Sequence, residues 1–75
     1  MKFIVIGYKD NYVYCILPHM IPIPKDLQNE LTNKFDNCRF GAQYSSGNIY
    51  EIKISLDDYI KFKLMYDVVD VIEGG

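Results

Sequence analysis

Leu27, Leu31 and Phe35 return at every fourth position between Pro24 and Asp36, and this narrow apolar stripe constrains the fold more than any other feature of the chain. A helix with one apolar side must bury it against another element. Most other apolar residues sit in clusters of β-branched and aromatic type, which favour strands. At 75 residues the chain can support one core only. Helix on sheet, in the α+β class, is the expectation.

The strands can be placed from the same patterns. Residues 2–6 and 12–17 flank "GYKDN" and predict a β-hairpin. "PHMIPIP" then carries three prolines, which bar a helix interior and favour an extended connector. Pro24 suits a helix start, so the first helix spans about 24–35. "CRFGAQY" alternates Cys38, Phe40, Ala42 and Tyr44 against Arg39, Gly41 and Gln43, and "IYEIKI" alternates Tyr50, Ile52 and Ile54 against Ile49, Glu51 and Lys53. Placing both apolar sets on one face requires paired positions to sum to an even number, as Tyr44 opposite Tyr50 would. The loop is therefore odd in length, with Gly47 or Asn48 supplying a positive φ. Ser55 followed by Asp58 resembles a capping box and starts a second helix, in which Leu56, Tyr59, Ile60, Phe62 and Leu64 form a broad apolar face up to Tyr66. "VVDVI", residues 68–72, is the closing strand.

The first hairpin admits two registers. A two-residue Asp10-Asn11 loop buries Ile4, Ile6 and Tyr8 with Val13, Cys15 and Leu17, whereas a longer or bulged connection buries Phe3 and Val5 with those three. The second is preferred. In both, Tyr12, Tyr14 and Ile16 point away from the helix, and an outer sheet face carrying them is a candidate partner surface.

Composition excludes several classes of function. A net charge of −2 and a pI near 5.1 argue against a nucleic-acid binder, and no apolar run is long enough to span a membrane. The short, interrupted apolar run after Met1 does not predict a secretory signal, so the expected compartment is the cytoplasm. Cys15 and Cys38 form no Cys-x-x-Cys motif and are expected as buried free thiols. A zinc site joining them to His19 fails on distance, because four residues of strand span about 13 Å and zinc ligands lie about 2.0–2.3 Å from the metal. Only a sharp turn at Pro18 would bring Cys15 and His19 together. With no phosphate loop or paired carboxylates either, neither catalysis nor a cofactor is expected. Asp57 and Asp58 suit the positive end of the second helix.

The order of elements, ββαββαβ, resembles the ubiquitin-like β-grasp family, in which a mixed sheet of four to five strands carries one main helix and a shorter second one. "SLDDYI" is similar to the Leu-Ser-Asp-Tyr turn before the last strand of ubiquitin, and the chain closes on Gly74-Gly75. The resemblance implies a domain over residues 1–72 and a tail at 73–75. It implies a protein modifier, not an enzyme: the Gly75 carboxylate is adenylated and thioesterified by an activating enzyme, passed to a conjugating enzyme and joined to target lysines, with a deconjugating protease as a further partner. Glycines at 74 and 75, lacking Cβ, suit the narrow cleft such chemistry needs. Two alternatives stand beside it: a sulfur carrier with a C-terminal thiocarboxylate, and a non-catalytic binding module using the tyrosine-rich face. In the family, partners read an apolar patch formed by the first hairpin's turn, the third strand and the last strand, matching Tyr8, Tyr44 and Val68 here. Glu73 before the glycines, where ubiquitin has arginines, points to a non-eukaryotic style of partner, and the second helix is longer than the family's single turn.

Overall fold

Alternation of buried and open positions along the strands builds a two-layer α+β domain of β-grasp-like form, with five strands and two helices among the described residues. The computed structural model describes residues 2–41 and 47–70. In chain order the elements are β1 (Lys2–Lys9), β2 (Tyr12–Ile16), α1 (Lys25–Lys34), β3 (Cys38–Gly41), β4 (Glu51–Ser55), α2 (Leu56–Met65) and β5 (Asp67–Asp70). The sheet runs β3-β4-β2-β1-β5, with β1 and β5 parallel and the other pairs antiparallel.

The first hairpin combines both expected registers. Asp10 and Asn11, at φ 53° and 67°, form a two-residue turn whose left-handed backbone angles match the right-handed twist of the flanking strands. Lys9 pairs with Tyr12 and Tyr8 with Val13 beside it, but the register shifts between Val5 and Gly7, so that Val5 pairs with Cys15 and Ile4 with Ile16. This bulge sets Ile6 and Gly7 against Tyr14. It reconciles a tight turn with the burial of Phe3 and Val5, both fully enclosed.

The core lies between the inner sheet face and the two helices. Phe3, Val5, Val13, Cys15, Ile52 and Ile54 line it from the sheet, and Leu27, Leu31 and Phe35 close it from the α1 side. Pro24 sits at the N-cap of α1 and Phe35 at its C-cap, so the predicted helix holds to within one residue at each end. The proline-rich connector is only partly extended. Pro18–Met20 form a 3-10 turn, with His19 and Met20 at φ 61° and 49°. The chain is straight only afterwards, where the Ile23 N–H donates to the Ile49 carbonyl at 2.8 Å and its side chain enters the core. The β3–β4 register sums to an even number, as in Cys38 opposite Ile54, and Gly47 takes the positive φ at 83°.

α2 departs from its expected breadth of contact. Tyr59 and Phe62 are buried and Tyr66 packs edge-on to Phe3, whereas Leu56, Ile60 and Leu64 are 40%, 65% and 84% exposed. The two sets fall on different stripes of the helix. Because α1 already covers part of the sheet and α2 must deliver β5 to the edge of β1, only one narrow side of α2 reaches the core. Its start is capped as predicted: Ser55 Oγ accepts from the Asp58 N–H at 3.2 Å. The Asp58 carboxylate does not complete the reciprocal bond and instead accepts the Asn37 N–H at 3.0 Å, tying the entry of β3 to the helix. Ser55→Ala should cost about 1 kcal/mol, read from the urea midpoint. A change of only a few tenths would show that the Asn37 bond holds the helix start by itself.

Candidate functional site: the open face of the sheet

Both helices pack on one side of the sheet, and among the described residues no element covers the other. Strand alternation decides which side chains stand there. On β2, Val13 and Cys15 are fully buried while Tyr12, Tyr14 and Ile16 are half-buried on the outer face, as expected from either hairpin register. On β4 the outer positions are Glu51 and Lys53, on β3 Arg39, on β1 Lys2, Ile4 and Lys9, and on β5 Asp67 and Val69.

Register sorts these side chains into rows. Val69, Ile4 and Ile16 stand side by side across β5, β1 and β2, with Glu51 next on β4. Two residues along, Gly7, Tyr14, Lys53 and Arg39 form a second row, and Lys9, Tyr12 and Ser55 a third. Lys53 Nζ lies 4.4 Å from the centre of the Tyr12 ring, a cation–π contact that orders both side chains. The face is aliphatic at one end and aromatic and basic at the other.

The patch implied by the β-grasp resemblance is arranged differently. β3 and β5 occupy opposite edges of the sheet, separated by β4, β2 and β1. The described parts of the third and last strands are therefore not neighbours. Val68 pairs with Phe3 on the inner side and packs against the core. Tyr44, Gly74 and Gly75 lie outside the described residues, as do Glu73 and the last two positions of the expected closing strand.

Tyr8 is 41% exposed and is tied into a local cluster. The bulge turns it to the inner side opposite Val13, where its hydroxyl donates to the Asp70 carboxylate and its ring meets Tyr59 edge-on. Tyr59 Oη donates to the same carboxylate oxygen at 3.3 Å. Desolvation, reinforced by the Asp70 bond, holds the Tyr8 phenol above its ordinary range, and Tyr59 is pushed up to about 12, chiefly by burial. Two neutral phenols thus anchor the end of β5. No sequence rule marks this cluster, since its members lie 62 and 11 positions apart.

Burial decides the chemistry of the thiols. Cys15 is pushed up to about 12 and Cys38 to about 11, mainly by desolvation, so both stay protonated and inert at neutral pH. A sharp turn does occur at Pro18, yet His19 stays exposed while Cys15 is sealed in the core, so the turn does not bring them together. No group of three or more metal-ligating side chains gathers among the described residues. None of their helices is long and apolar enough to cross a membrane. No family model matches this chain, and neither does any curated protein or solved structure, so the functional reading rests on this face and on the fold.

Proposed function

We propose that this domain is a non-catalytic protein-interaction module whose working surface is the outer sheet face around Tyr12, Tyr14 and Ile16. One observation carries the reading: Val69, Ile4 and Ile16 align across three neighbouring strands on a side that no described element covers. Aliphatic rows on a two-layer domain normally mark a contact surface, because water leaves them at a gain of about 25 cal/mol per Å². Tyr14 beside the row adds a large, stiff side chain of the type that dominates interfaces. Two buried protonated thiols suit a reducing compartment, so the cytoplasm is the proposed setting.

A second reading is supported by the fold: a ubiquitin-like modifier, or a sulfur carrier, acting through the Gly75 carboxylate. β5 runs parallel to β1 and hands the chain on at Asp70, five positions before Gly75. Separation of β3 from β5 weighs against the family's usual recognition patch, which places this reading second. Where it holds, an activating enzyme must accept Glu73.

One experiment separates the two. With a photo-cross-linking amino acid at Tyr14 in the native host, the interaction module gives a discrete protein adduct. Its yield should fall about tenfold on Ile4→Glu or Ile16→Glu, a loss of about 1.4 kcal/mol. Removing Gly74 and Gly75 should leave that adduct unchanged. If tail removal abolishes it and mass spectrometry finds a Gly-Gly remnant on lysines, or sulfur in place of a terminal oxygen, the modifier or carrier reading replaces it.

A further inference from the structure

Charge on the outer face is distributed unlike charge on the rest of the chain. The whole protein has eight Lys and Arg against ten Asp and Glu, yet among the described residues the face collects Lys2, Lys9, Arg39 and Lys53 against Glu51 and Asp67 only. That leaves four cations against seven carboxylates elsewhere among the described residues. The two carboxylates are also displaced from the basic end. Asp67 stands opposite Lys2 at the β5 edge, and Glu51 lies beside Ile16. Among the described residues the one ion pair within 4.0 Å joins Lys34 to Glu30 on α1, so Lys9, Arg39 and Lys53 have no such partner there.

We propose that the outer face receives an acidic, amphipathic protein segment, with aliphatic side chains along Val69, Ile4 and Ile16 and carboxylates toward Lys53, Arg39 and Lys9. This rests on the interaction-module reading and names the class of partner. Charge complementarity selects the acidic segment, since a basic or neutral one leaves the adjacent Lys53 and Arg39, and Lys9 one row on, unanswered. The bulge leaves open space at Gly7. A Cβ at Gly7 would meet nothing within 4 Å, so the backbone beside Tyr14 lies open to an incoming side chain. Nucleic acid shares the negative charge, but its phosphates leave an aliphatic row without a matching surface, and the chain as a whole is acidic. Lys53 already lies over the Tyr12 ring, and the aliphatic row offers no stacking surface.

The test is an amide-resolved NMR titration of the full chain with three probes. These are a synthetic twelve-residue peptide alternating aliphatic residues with glutamates, its counterpart with lysines for the glutamates, and a ten-nucleotide oligothymidylate. The glutamate peptide should shift the amides of Ile4, Tyr14, Ile16 and Lys53. Binding should weaken by about fivefold or more in the Arg39→Glu, Lys53→Glu double variant, and again as salt rises from about 0.05 to 0.5 M. Both substitutions lie on the open face, and far-UV circular dichroism confirms the fold. Equal binding of the glutamate and lysine peptides overturns the acidic partner and leaves the interaction module standing. Shifts with the oligothymidylate alone overturn both readings. No shift with any probe overturns the proposal, and the cross-linking result above then decides the module by itself.

Discussion

Phe62→Ala should destabilise the domain by about 3–5 kcal/mol, the cost of emptying a well-packed aromatic site. Phe62 is fully buried, and four other rings surround it: Phe3 at 4.9 Å, Tyr66 at 5.2 Å, Phe35 at 5.7 Å and Tyr59 at 6.4 Å between centroids. These come from β1, from α2 and from the C-caps of both helices, so one side chain joins the two layers. A domain of this length has a total stability of about 4–11 kcal/mol, so the variant loses a large share of it. Urea unfolding followed by circular dichroism measures the loss. Leu64→Ala on the same helix is the control and should stay within about 0.5 kcal/mol, because that side chain is 84% exposed. A Phe62→Ala loss below about 1 kcal/mol would mean that the rings close over the gap and that no aromatic hub exists.

Above pH 9 the domain should lose stability steeply. The cause is a set of weak acids held protonated by the fold: Cys38 is raised to about 11, and Cys15, Tyr59 and Tyr66 to about 12, each chiefly by burial. In the unfolded chain the thiols ionise near 9.0 and the phenols near 10.0. Between those values and the raised ones the unfolded state has released protons that the folded state still holds. Rising pH therefore favours unfolding, and the contribution present below pH 9 disappears through about pH 11–12. Each group fully ionised in one state and protonated in the other adds a slope of about 1.4 kcal/mol per pH unit. Urea midpoints at intervals from pH 7 to 12 should be level at first and then fall, and Cys15→Val should make the fall shallower. A level profile through pH 11 would overturn the burial of these groups.

Several features of this fold were legible because they depend on near neighbours in the chain. The α1 stripe of Leu27, Leu31 and Phe35 is buried as its spacing requires, and the cap at Ser55 forms where Ser and Asp stand three apart. Strand parity also followed from pattern alone. Only one face could be apolar, so Cys38 had to pair with an even-numbered residue, which is Ile54. Tyr12, Tyr14 and Ile16 faced outward in either hairpin register, and that part of the candidate surface was readable before any coordinates.

Other features depend on which elements meet, and no local pattern encodes that. β4 joins β2, and β5 takes the free edge of β1, so β3 and β5 stand at opposite edges of the sheet. The same arrangement brings Val69 and Ile4 beside Ile16 and gathers Lys9, Arg39 and Lys53 from three strands onto one end of the face. Ile60 and Leu64 looked like core residues, but the space they would have filled is bounded by α1 and by the short reach of α2 to β5.

By itself, then, the sequence determined the kinds of elements, their order, and the inward and outward sides of the strands, because backbone propensity and apolar period act over a few residues. The tertiary structure alone decided the order of strands in the sheet, the bulge at Ile6 that turns Tyr8 toward Asp70, and the makeup of the open face. Those outcomes come from competition among distant segments for one small core. The winner depends on the total area each arrangement buries, which no single stretch of sequence contains.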